Sequence, residues 1–143
     1  MPQLLALDVA PLHAQVALVD ATWQDYPQWE DGDEWVAFRA DSLSNADSAP
    51  YPGFAVATRS DLGASGPQSV TVEVWAGDCP IGLRKIHESI LYVGGHGVRV
   101  GNQETGFADL ELSHGRHPIA IWVNAGRPED VSRVVFVVGA PDT

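Results

Sequence analysis

The sequence predicts an all-β fold, an antiparallel β-sandwich of jelly-roll type with about nine strands and little helix, with residues 1–143 forming a single domain. Three observations lead there. Short β-type runs recur along the chain between turn residues. No window of about 11 residues keeps a helical period. Finally, 14 glycines and 10 prolines punctuate the runs, where an alternating α/β sheet would need long periodic helices between its strands.

The candidate strands are 14–20, 35–40, 54–58, 69–76, 86–93, 98–100, 107–112, 117–124 and 132–138. Residues 69–76 alternate, with Val70, Val72 and Val74 inward and Thr71 and Glu73 outward, so this strand is read as half-exposed. The run Val134-Val135-Phe136-Val137-Val138 is apolar on both faces. It fits a central strand covered on both sides, or one with a face buried by a second subunit, so a homodimer stays open. Gly94-Gly95-His96-Gly97 joins strand to strand and is read as a turn; a phosphate cradle would need a helix N-terminus beyond the glycines. Around Gly115-Arg116 a two-residue type II′ turn is expected, because glycine accepts the positive φ at its first centre. That hairpin would set His114 opposite His117, Leu112 opposite Ile119 and Leu110 opposite Ile121, with Pro118 at an edge or beside the turn. Loops are expected over 21–34, 41–52 and 60–68.

The 19 acidic side chains against 8 basic ones give a formal charge of -11, which argues against nucleic acid or an anionic membrane as direct partner. The excess is uneven. Residues 1–69 hold 10 acids and 2 arginines, while residues 70–143 hold 9 acids and 6 basic side chains. The one cysteine, Cys79, allows no internal disulfide or thiolate zinc cage and fits a reducing compartment. The start MPQLLALDVAP lacks the basic residues and long apolar run of a secretory signal, and no run is long enough to span a membrane, so a cytoplasmic protein is expected.

Candidate chemistry is sparse. His114 and His117 as cross-strand neighbours would offer two metal ligands, but a third at a recognisable spacing is missing, so no metal or other cofactor is expected. Cys79, beside Asp78, has a carboxylate opposing its thiolate and reads as a passive turn residue. No Gly-x-Ser-x-Gly elbow is present, and the carboxylates are too numerous to single out an acid–base pair, so no enzyme is predicted.

The segment Trp23 to Trp35 is the unusual one, with three of the five tryptophans and five acids. Pro27 and Gly32 exclude one regular element, so the three indoles cannot form one platform, although a folded loop could bring two together. One reading buries the tryptophans as a cap on the core and leaves the acids solvated. The other is an acidic, aromatic face for a basic protein, formed by Asp25, Trp29, Glu30, Asp31, Asp33, Glu34 and Trp35. A module binding a carbohydrate or other small ligand through tryptophan is the alternative.

The order of these features resembles the competence protein J family. A first strand is followed by Trp29-Glu30-Asp31-Gly32-Asp33-Glu34, an alternating valine-rich strand and Arg84-Lys85-Ile86. The C-terminal half adds Gly95-His96-Gly97-Val98-Arg99-Val100-Gly101 and Leu110-Glu111-Leu112-Ser113-His114-Gly115-Arg116-His117, similar to that family's strand, gap and hairpin. Ser113 and His114, where that family often has Pro and another residue, and His117, in place of its usual aromatic, depart from its pattern. The resemblance implies an inhibitor of a DNA-entry nuclease, binding a basic nuclease or toxin through the acidic segment, with no direct contact to nucleic acid and no insertion in a membrane.

Overall fold

The computed structural model describes residues 3–9, 15–22, 29, 34–37, 52–59, 62–63, 66–67, 69–102 and 106–140. Two five-stranded sheets face each other as a β-sandwich. The front sheet has the order β1 (Gln3–Val9), β7 (Val70–Ala76), β12 (Arg133–Val138), β11 (Gly115–Val123) and β8 (Arg84–Val93). The back sheet runs β10 (Gly106–Leu110), β9 (Val98–Asn102), β2 (Gln15–Asp20), β4 (Gly53–Ala57) and β3 (Val36–Ala37). The described residues contain no α-helix; Pro128–Asp130 forms a single 3-10 turn.

Each of the nine expected runs contains a strand. Three elements escaped the sequence. β1 begins Gln3-Leu4-Leu5-Ala6-Leu7, which neither alternates nor carries β-branched residues, so its strand state comes from pairing with β7. A short ribbon of β5 (Leu62–Gly63) and β6 (Gly66–Pro67) lies within the expected 60–68 loop.

Alternation places the core. Val70, Val72, Val74, Leu91, Val93, Ile119, Ile121, Val134 and Phe136 point inward from the front sheet and meet Val16, Leu18, Phe54, Val56, Val98 and Val100 from the back. Val135 and Val137 face the other way yet are also buried, so β12 is the central strand covered on both sides that its composition suggested. Its outer cover follows from topology. β12 pairs parallel with β7 and antiparallel with β11, and β11 pairs antiparallel with β8, so β7 and β8 run the same way with two strands between them. Residues 77–83 must therefore return from the end of β7 to the start of β8 across the outer face, a reach of at most about 3.3–3.6 Å per residue. Cys79 accordingly lies within electrostatic reach of Arg133 at the far end of β12. Its thiol pKa is raised, as expected, but burial is the cause rather than Asp78.

Glu73 also differs from its reading as an exposed side chain. It faces outward but is buried, because Arg133 Nε and Nη2 donate to its carboxylate, the latter at 3.1 Å, and Trp75 Nε1 and Gln3 Nε2 donate at 2.9 Å each. These hydrogen bonds, Arg133's above all, hold its carboxyl below the usual range against the opposing effect of burial.

The expected hairpin at Gly115-Arg116 does not form. Gly115 does take a positive φ of 138°, but as the first residue of β11, paired with Val93. β10 pairs instead with β9, and the chain changes sheets between Leu110 and Gly115. A local turn would have left β11 with one neighbour; crossing gives it β8 and β12 and lets Leu110 and Leu112 pack on the core. Gly97 makes the crossing possible: with φ of 76°, a Cβ there would lie 2.4 Å from the Leu110 carbonyl oxygen. Gly94 to Gly97 is the strand-to-strand turn expected, held by buried Asp20, which accepts from Gly94 N at 2.7 Å and from Thr22 Oγ1. Pro118 is not at an edge. Its carbonyl accepts Gly139 N at 2.8 Å beyond the last β12 rung, and its missing N–H points to that same side, where the ladder has ended.

Two outcomes follow. Phe136→Ala should lower the unfolding free energy by about 3–5 kcal/mol in urea titrations, because the central strand cannot collapse into the void. Because the folded-state pKa of Glu73 is depressed, its contribution is full above the ordinary glutamate pKa of about 4.5 and is lost as pH falls through the folded value. Glu73→Gln should therefore be less stable than wild type at neutral pH, with the gap closing below that value; a gap that stays constant with pH would contradict it.

Candidate functional site

Trp29 and Trp35 join the fold at one corner of the back sheet. Gln15, which opens β2, is the register partner of Ala57 at the end of β4. Each holds one tryptophan. Trp29 Nε1 donates to Gln15 Oε1 at 2.7 Å, and Ala57 N donates to the Trp35 carbonyl at 2.9 Å. The same rung thus fixes both, bringing two of the indole-bearing residues to one place as a folded loop allows. Behind them, Asn102 Nδ2 donates to the Gln15 carbonyl at 2.8 Å.

The two tryptophans do different work. Trp35 is half-buried against the core, and β3 directly after it adds Val36 to the sandwich interior. Its ring lies 6.0 Å from the Arg84 guanidinium carbon at the start of β8, so it also ties the two sheets together. Trp35 fits the capping reading. Trp29 is 37% exposed, with its N–H satisfied and part of its ring open to solvent, and Glu34 is exposed beside Trp35. Asp25, Glu30, Asp31 and Asp33 lie outside the described residues. Sequence reasoning missed Gln15 and Arg84 at this corner; neither has a chemical signature, and only the register reveals them.

The expected histidine pair separates. His114 is exposed and stands edge-on to Tyr92, with ring centroids 6.0 Å apart. His117 is 2% exposed, with Nε2 2.8 Å from the Ser113 carbonyl oxygen and Nδ1 3.1 Å from that of Gly139. Both ring nitrogens face backbone carbonyl oxygens, which leaves neither open to a metal. His117 instead clamps the sheet-changing segment to the end of β12. Among the described residues no three His, Cys, Asp or Glu side chains gather as a metal site.

Two clefts flank this sheet-changing segment. One, of about 490 Å³, is lined by Gly95, His96, Gly97, Glu111, Leu112 and Ser113. The other, of about 530 Å³, is lined chiefly by Leu4, Ala76, Leu112, His117 and Val138. Among the described residues no tryptophan lines either cleft.

No family model matches the chain, and no curated protein does. A solved structure does: the crystal structure of ComJ from Bacillus subtilis, described as the inhibitor of the DNA-degrading activity of NucA. It superposes with a TM-score of 0.60 at 8% identity, over 96% of each chain. The chain has the ComJ fold. The likeness suggested by the order of strands and turns is thus borne out in three dimensions, although the stretch from Leu110 to His117, read as a hairpin, is a crossing between sheets in this ComJ-like sandwich.

His117→Ala should lower stability by about 2–3 kcal/mol, since the contacts of its ring with the Ser113 and Gly139 carbonyls are lost and the buried ring leaves a void. Calorimetry of the variant checks this, and an unchanged unfolding temperature would show the clamp to be idle.

Proposed function

We propose that this chain is a non-catalytic cytoplasmic inhibitor that binds a basic protein, a nuclease or toxin, through the corner at Trp29 and Trp35. The observation that carries this reading is the fold shared with ComJ along 96% of both chains. Charge placement supports it. The acids of the first half crowd into the segment from Asp25 to Glu34, anchored at Trp29 and Trp35. A nuclease must present a cationic groove to its phosphates, and carboxylates on a loop can occupy that groove in place of a nucleic-acid backbone.

In this arrangement Asp25, Glu30, Asp31, Asp33 and Glu34 supply long-range attraction and complementarity. Trp29 supplies desolvated contact area, its N–H already bonded to Gln15 and so costing little when water leaves. Trp35 positions the segment through its contacts with the core and Arg84. No helix among the described residues is long and apolar enough to cross a membrane.

Co-purification from the native host identifies the nuclease. Stopped-flow association with it should slow roughly tenfold or more between low and physiological-to-high salt. Combined Asp31→Lys, Asp33→Lys and Glu34→Lys substitution should abolish most inhibition of DNA degradation with the fold intact. Binding that is indifferent to both salt and charge reversal would overturn the proposal.

A further inference from the structure

Four strands end the two sheets among the described residues, and their edges are unequal. β8 carries exposed Arg84 and Lys85, and its register slips where Ile121 and Trp122 of β11 face it. β10 has five residues and starts at Gly106, whose φ is 101°. β3 has two. Charge, irregularity and shortness are the devices by which edges avoid further pairing. β1 has less protection than any of these. It runs seven residues, contains no Lys, Arg or Pro, and after a slip near Leu4 keeps regular register with β7 from Leu5 to Val9. Leu4 is 40% exposed, Ala6 is exposed, and Leu5 and Leu7 remain half-open although they pack on the core.

We propose that β1 pairs antiparallel with β1 of a second copy about a twofold axis through Ala6, joining the two front sheets edge to edge. An open edge presents a row of backbone N–H and C=O groups, a template that a second strand matches group for group. The charge of -11 selects which strand and where. Two copies repel over most of their surfaces, and β1 is an edge whose middle bears no charge. With Ala6 on the axis, Leu5 of each copy faces Leu7 of the other, covering both half-open leucines beside the core. The sole charge, Asp8, already accepts from Thr71 Oγ1 at 2.9 Å. The two Asp8 residues fall four positions apart along the strands, about 13 Å at roughly 3.3 Å per residue, beyond the screening length of about 8 Å at physiological salt. Centring the pair on Asp8 would set the two carboxylates opposite each other.

This pairing does not rest on the inhibitory reading. Sedimentation equilibrium of the full chain, from low micromolar to millimolar concentration, should show a monomer passing to a dimer. Ala6→Lys places two ammonium groups opposite each other on the axis without touching the core, and should raise the dissociation constant roughly fivefold or more. Ala6→Glu should do the same, and an equimolar mixture of the two variants should re-associate at least as tightly as wild type. Because Ala6 is the register partner of Glu73, Ala6→Glu should unfold somewhat earlier than dilute wild type and Ala6→Lys should not, while circular dichroism shows both variants folded when dilute. A wild type that stays monomeric throughout, a dimer that ignores Ala6→Lys, or variants that do not re-associate when mixed would each overturn the proposal.

Discussion

The fold depends on burying β12 on both faces. Its inner residues, Val134, Phe136 and Val138, demand a facing sheet, and its outer ones, Val135 and Val137, demand a cover that an ordinary two-layer sandwich does not supply on that side. Parallel pairing with β7 meets the second demand. A parallel neighbour obliges the chain to make a long return, and here the return from β7 through residues 77–83, with Cys79, Pro80 and Leu83 half-buried, reaches beyond β12 and β11 to β8. Trp75 and Trp122, register neighbours of Val137 and Val135, stand on the same outer face. The Glu73–Arg133 ion pair sits on the parallel seam itself, with Trp75 and Gln3 filling the remaining acceptor sites of the carboxylate. A buried carboxylate without those donors would oppose folding; with them it locks β7, β12 and β1 in one register.

What the sequence made legible follows the same physics. Runs with alternating or doubly apolar patterns, such as Val70 to Val74 and Val134 to Val138, carry their burial in their own residues and were readable locally. β1 was not, because a leucine-rich edge strand takes its conformation from β7 rather than from its own propensity. The error at Gly115 has a clear origin. Positive φ at a glycine is a local property, and it was read correctly, but whether the chain then folds back or crosses depends on which partners wait at a distance. β8 and β12 offered β11 two ladders where a hairpin offered one. The histidine pair failed with the hairpin that created it.

The tryptophan-rich segment was legible as a concentration of charge and aromatic area, but its division of labour was not. Sequence alone could not separate a capping indole from an exposed one, because both follow from the same residue type. The register separates them: Ala57 takes hold of the Trp35 main chain and leaves its ring to the core and Arg84, while Gln15 takes only the Trp29 N–H and leaves part of that ring outside. Holding an exposed aromatic by one polar atom restricts its orientation before any partner arrives, which lowers the ordering entropy that binding must overcome.

Charge distribution would let the two proposed contacts coexist on one small acidic sandwich. Trp35 sits against Arg84 of β8, and β1 closes the opposite edge of the front sheet. Four strand spacings separate those edges, about 19 Å at roughly 4.8 Å each, more than twice the screening length in physiological salt. A pair joined through β1 would set the Trp35 corner of each copy beyond the far edge of its own front sheet, so the repulsion between charges there would be screened. Self-association and binding of a basic protein, as proposed, would call on opposite electrostatic conditions, a neutral edge and a charged segment, and the front sheet would keep the two apart by its own width.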